Sequence, residues 1–95
     1  MRTFDLNGKT FEIGSGIDNF TGQVIYCKTE ITFDGRKTEL NIHYNPDTDI
    51  FTECAIVYRV DMFEPRPIEE FMTEEEIKFC KDKLIEYEIQ INGVY

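Results

Sequence analysis

This chain of 95 residues has no tryptophan, one histidine, three cysteines and three prolines, and its lysines and arginines total 10 against 19 aspartates and glutamates. Each scarcity closes off a class of function. The shortage of cations leaves a formal net charge of −9; a surface of that sign repels phosphates, so no direct binding of DNA or RNA is expected. Cys27, Cys54 and Cys80 are odd in number and lack the close spacing of zinc or redox motifs. They read as reduced thiols of a reducing compartment, with no metal and no cofactor implied. His43 is the lone histidine, so a general base with an unshifted pKa near neutrality would have to be this residue. No serine or cysteine nucleophile is expected on its face, so the chain does not read as an enzyme. No hydrophobic run reaches bilayer-spanning length, and the first residues pass straight into alternating sequence without an apolar leader. The expectation is a cytoplasmic protein, of bacterial or phage-infected host cytosol, with no membrane partner.

What the chain does hold is period-two alternation punctuated by tight-turn dipeptides. Asn7-Gly8 accepts positive φ at both central positions of a type I′ turn, which predicts a hairpin of Arg2–Leu6 with Lys9–Ile13 and sets Phe4 opposite Phe11. Gly14 to Gly22 has no clear period and three glycines, and is expected to be an exposed loop with Phe20 at its tip. From Gln23 onward Ile25, Cys27, Thr29, Ile31 and Phe33 share a face, until Asp34-Gly35 turns the chain back along Arg36–Tyr44 and pairs Ile25 with Tyr44. Asn45 to Asp49 makes the next turn, and Ile50–Met62 reads as a third long strand. Pairing Tyr44 with Ile50 would extend the inner face through Thr52, Cys54, Ile56 and Tyr58, leaving Phe51, Ala55, Val57 and Phe63 on the outside. Glu64-Pro65-Arg66-Pro67 is expected to end the sheet, because proline cannot donate to a ladder.

Thr73 and Glu76 spell a capping box, with Met72 and Ile77 as a hydrophobic staple, so a helix begins here. Its stripe of Ile77, Cys80, Leu84, Tyr87 and Ile91 would cover one sheet face. Ile85, Tyr87, Ile89 and Ile91 also alternate, so residues 85–91 read either as helix or as a final strand. The fold class is therefore α+β: one domain over residues 1–95, an antiparallel meander of about five strands with a C-terminal helix packed on one face.

The strongest functional signal is the run of carboxylates Glu64, Glu69, Glu70, Glu74, Glu75 and Glu76, interrupted by Arg66, where strand-like sequence gives way to helix-like sequence. Glu74, Glu75 and Glu76 have a local explanation, since carboxylates in a first helical turn meet its unpaired amides. Number alone does not make a site, and a solvated, helix-capping face accounts for much of the run. As a contact surface, Glu64, Glu69, Glu70, Glu74 and Glu75 would enter a basic groove, while Phe20 or the strand bearing Phe51, Val57 and Phe63 supplied desolvated contact.

That combination suggests a stoichiometric inhibitor of a basic nucleic-acid-handling protein, of the phage anti-defence or anti-CRISPR kind, acting as a nucleic-acid mimic. An apolar outer strand at the end of a meander also invites pairing, which favours a homodimer through residues 50–63 over closure by the first hairpin. A second class of function, a small-ligand binder or minor enzyme, would use the outward face of Tyr26, Lys28, Asn41 and His43. A third is a structural subunit joined to a larger assembly through the apolar strand.

Overall fold

The computed structural model of this chain describes residues 2–20 and 22–93. It contains a six-stranded antiparallel sheet in meander order, β1 (Arg2–Leu6), β2 (Lys9–Asp18), β3 (Gly22–Phe33), β4 (Arg36–Asn45), β5 (Ile50–Tyr58) and β6 (Phe63–Arg66), followed by a 3-10 turn at Ile68–Glu70 and helix α1 (Glu74–Asn92). The helix lies across one face of the sheet, giving the expected α+β arrangement with one strand more. No helix among the described residues is long and apolar enough to cross a membrane.

Two turns fix most of the register. Asn7 and Gly8 adopt φ of 50° and 83°, and Asp34 and Gly35 adopt 53° and 73°, the left-handed pair that type I′ turns require. Phe4 accordingly pairs with Phe11, their rings stacked at 5.1 Å, and β3 pairs with β4 from Ile25↔Tyr44 to Phe33↔Arg36. Phe11, Ile13, Ile25, Cys27, Leu40, Ile42 and Tyr44 fill the inner face, against Ile77, Cys80 and Leu84 of the helix. Tyr87 packs at the margin of this core, whereas Ile91, expected in the same stripe, lies outside it and is 39% accessible. Residues 85–91 are helical. The tertiary face of α1 overrides the local alternation, as burial of an amphipathic stripe commonly does.

Four expectations are corrected. Gly14 and Gly16 do not break β2: the strand runs on to Asp18 and pairs with β3 down to Gly22. Gly14 lies opposite Tyr26, whose ring occupies the space a side chain would take; a Cβ there would stand 3.0 Å from the phenol oxygen. Glycine inside this strand thus marks a close approach rather than a loop. Phe20 is nevertheless at the exposed hairpin end, 97% accessible.

Second, Tyr44 pairs with Phe51 and Asn45 with Ile50, one residue from the expected frame. Because side chains alternate, that slip exchanges the faces of the whole strand. Phe51, Glu53, Ala55 and Val57 point toward the helix layer, and Thr52, Cys54, Ile56 and Tyr58 point outward. The turn explains the shift: Asp49 takes a left-handed φ of 58°, its amide donates to Asn45 O at 2.8 Å, and its carboxylate accepts from the Tyr44 hydroxyl at 2.9 Å.

Third, β5 ends at Tyr58. The chain turns through residues 59–62, closed by Arg59 N donating to Met62 O, and returns as β6. Fourth, Pro65 does not end the sheet; it lies opposite Ile56 within β6, at the outermost strand, where its missing donor breaks no ladder. β6 thus covers the Ala55–Tyr58 part of the edge on which two copies were expected to pair, and leaves Ile50–Cys54 outside its ladder.

Candidate functional site

The acidic segment is held down by the apolar residues between its glutamates. Ile68 and Met72 are buried in the core, and the capping box is complete: Thr73 Oγ1 accepts from Glu76 N at 3.1 Å, and Glu76 Oε1 accepts from Thr73 N at 2.9 Å. With those side chains fixed inward, the remaining glutamates of residues 69–75 face outward.

The run then divides in two. Glu64 accepts from Arg59 Nε at 2.6 Å and from Arg66 Nη1 at 2.7 Å, and Arg66 also binds Glu70, Nε to Oε1, at 2.8 Å. The Arg59 hydrogen bond, then that of Arg66, holds the Glu64 carboxyl below the usual carboxylate range. Arg66 further lies over the ring of Phe33, 5.4 Å from its centroid. Glu64 and Glu70 are thus neutralised within an arginine network that joins the turn after β5, β6 and the 3-10 turn.

Glu69, Glu74 and Glu75 are different. Among the described residues no cation pairs with any of them, and together with Glu53, Ile77, Lys78 and Lys81 they line one shallow depression of about 550 Å³. Of its two lysines, Lys78 pairs with Asp82 at 3.0 Å and Lys81 with Glu53, inside the depression, at 3.6 Å. This leaves three carboxylates with no paired cation among the described residues, Glu74 and Glu75 in the first turn of the helix and Glu69 in the 3-10 turn before it. Glu53 had no sequence signal, because the expected frame placed it on the opposite face.

The aromatic candidates scatter. Val57 is 1% accessible and Phe51 is half-buried, stacked on Tyr44 at 4.5 Å and covered by the Lys81 ammonium at 5.2 Å, so neither forms a docking surface. Phe63 is exposed, edge-on to Tyr58, beside Val60 and Met62 of the adjoining turn. Phe20 stands at the other end of the sheet, since successive meander turns alternate ends. Neither residue adjoins the acidic depression.

Tyr26, Lys28, Asn41 and His43 do share the outer face, in adjacent rows of β3 and β4. Tyr26 and His43 rings are 6.2 Å apart. Partial desolvation lowers the His43 pKa from its usual 6.5, favouring the neutral imidazole. Cys54, now on this face opposite Asn41, has its thiol pKa raised by burial and then by the Glu39 charge, the reverse of an activated nucleophile. Lys28 is paired with Glu12 at 3.9 Å. No group of three or more histidine, cysteine, aspartate or glutamate residues among those described is placed to hold a metal ion.

No protein-family model matches the chain, and no curated protein and no solved structure shows significant similarity to it. The functional reading accordingly rests on the arrangement of these side chains.

Proposed function

We propose that this chain is a small acidic protein-binding module that engages a basic surface on another protein, of the kind that handles nucleic acid, and competes there for a phosphate backbone. The observation that carries the reading is the division within the acidic run: Glu64 and Glu70 are bound by Arg59 and Arg66, whereas Glu69, Glu74 and Glu75 line one depression and pair with no cation among the described residues. Glu74 and Glu75 on the helix start and Glu69 on the 3-10 turn before it form a presented charge pattern, and the net charge of −9 adds long-range steering toward a cationic partner. An inhibitory role of the anti-defence kind follows if the covered surface is the partner's nucleic-acid groove.

The test is affinity capture from the source cells by the intact chain and by a Glu69→Gln, Glu74→Gln, Glu75→Gln variant, read over a range of salt. The wild type should retain a basic protein released both by salt and by added duplex DNA, and the variant should lose it. Retention by the variant with an unchanged salt profile would sink the reading. The Tyr26 and His43 face remains the alternative, as a ligand site; it is favoured only if His43→Ala abolishes binding of a small molecule while capture of the protein persists.

A further inference from the structure

The ladder between β2 and β3 stops short. It runs from Asp18↔Gly22 to Glu12↔Lys28, although β2 extends back to Lys9 and β3 forward to Phe33. The next bonded pair in an unbroken ladder would be Thr10 with Glu30. Instead Thr10 O accepts from the side-chain hydroxyl of Thr29 at 2.8 Å. The start of β2 is drawn toward the helix, where Lys9 meets Glu76 at 3.8 Å.

What this leaves on β3 follows from the geometry of its other neighbour. The two-residue turn at Asp34-Gly35 makes Phe33 and Arg36 a hydrogen-bonded pair, so Ile31 and Thr29 also bond to β4. Alternation then directs the N–H and C=O of Glu30 and Thr32 away from β4, toward the side that β2 has left. An open depression of about 690 Å³ lies there, between Gly8, Lys9 and Thr10 on one wall and Lys28 to Ile31 on the other, and a second of about 330 Å³ continues along Glu30, Ile31 and Thr32.

The side chains at this edge carry a matching oddity. Glu30 sits directly opposite Glu39 on the outer face; Lys37 pairs with Glu30 at 3.4 Å, and Lys9 and Lys28 line the same depression. Like charges facing across a strand pair are unfavourable. A cation brought in beside Glu30 would relieve them, and a residue paired to Glu30 in an antiparallel ladder shows its side chain on the same face.

We infer that the Glu30–Thr32 edge of β3 is a strand-addition site for an extended segment that places an arginine or lysine opposite Glu30. The open row of backbone donors and acceptors selects an extended chain of any sequence, and the paired carboxylates select a basic one. The inference rests on the reading of this chain as a binder of basic protein and adds where that protein's chain attaches.

Amide exchange by NMR on the uniformly 15N-labelled chain tests it, with the peptide acetyl-Thr-Val-Arg-Val-Thr-amide as probe. In the free protein the amides of Glu30 and Thr32 should exchange fast, while those of Ile31 and Phe33 are protected. Saturation with the probe should shift and protect Glu30 and Thr32, and affinity should fall about tenfold or more for Glu30→Lys or for a probe with glutamate in place of arginine. Thr32→Pro provides a second variant: it should fold, because that amide bonds to no neighbour, and should lose probe binding. Protection of Glu30 and Thr32 equal to that of Ile31 in the free protein would overturn the inference whatever the chain captures. So would a probe that shifts only the surroundings of Glu69, Glu74 and Glu75, an outcome that leaves the acidic reading standing and removes the edge.

Discussion

Cys27 of β3 and Cys80 of α1 meet in the layer between sheet and helix, both fully buried and close enough for their thiols to interact. That contact and burial raise the Cys27 pKa far above the ordinary thiol range. Cys54, by contrast, is only partly covered and lies on the outer face. With an aromatic disulfide reagent at mildly alkaline pH, the native protein should lose one thiol slowly and the denatured chain all three. Cys54→Ser should abolish the native reaction. Rapid native modification of Cys27 or Cys80 would contradict the packing.

The frame of β5 is open to a direct mutational check. Val57 is buried opposite Thr38, so Val57→Ala should cost about 2 kcal/mol in urea unfolding, through lost transfer energy and a cavity. Thr52 points outward and is exposed, so Thr52→Ala should stay within about 0.5 kcal/mol of wild type. Had the strand followed the expected frame, the two costs would be reversed.

The contrast between well-read and misread strands has a physical origin. The Asn7-Gly8 and Asp34-Gly35 turns admit one loop length, and each carried its two strands into the right register. The Asn45–Ile50 connection admits several lengths, and β5 is apolar on both faces, so burial preference could not choose between frames separated by one residue. Its outcome depends on Asp49 taking a left-handed conformation, stabilised by contacts with Asn45 and Tyr44 that no local pattern announces. The same ambiguity placed Phe51 and Val57 among the surface candidates. Of the acidic residues, position in the run was legible, but which carboxylates are neutralised was not: Arg59 reaches Glu64 only because an unforeseen hairpin folds back between them.

Acidification should unfold the protein through Glu76. Hydrogen bonds from Asn7 and from the Thr73 backbone, with the Lys9 charge, hold its carboxyl below the usual 4.5. A group with a lowered folded-state pKa contributes stability that is fully present above its unfolded value and disappears as pH falls through the folded one. Wild-type stability should therefore decline from about pH 5 downward, and Glu76→Gln should start lower and show a shallower slope. Thr73→Ala, which removes the other half of the cap, should cost about 1 kcal/mol at neutral pH. Urea titrations between pH 7 and pH 3 check all three.

His43 gives a separate inflection at higher pH. Its imidazole is harder to protonate folded than unfolded, so its contribution is complete above about 6.5 and shrinks as pH falls toward the lower folded value. Stability of His43→Gln measured from pH 7.5 to pH 5.5 should lack this component, and the imidazole C–H resonances of the wild type should titrate below 6.5.

Salt should stabilise rather than weaken the fold. The ion pairs among the described residues lie mostly at the surface, where each is worth little, whereas a net charge of −9 repels itself throughout. Raising sodium chloride from about 20 to about 300 mM shortens the screening length to several Å and should raise the melting temperature by a few degrees. A fall would mean that the Arg59–Glu64–Arg66–Glu70 network outweighs the general repulsion.

The carboxylate of Glu76 also accepts from Asn7 Nδ2 at 2.9 Å, a residue 69 positions earlier in the chain. One side chain thus serves the helix start and the first hairpin together, and the order of folding follows from it. The cap itself closes locally through Thr73, but its tie to Asn7 forms only when the first and last parts of the polypeptide have found each other, a closure of high entropic cost. Docking of the helix start against the first hairpin should accordingly be a late step, after the locally paired strands of the meander have formed.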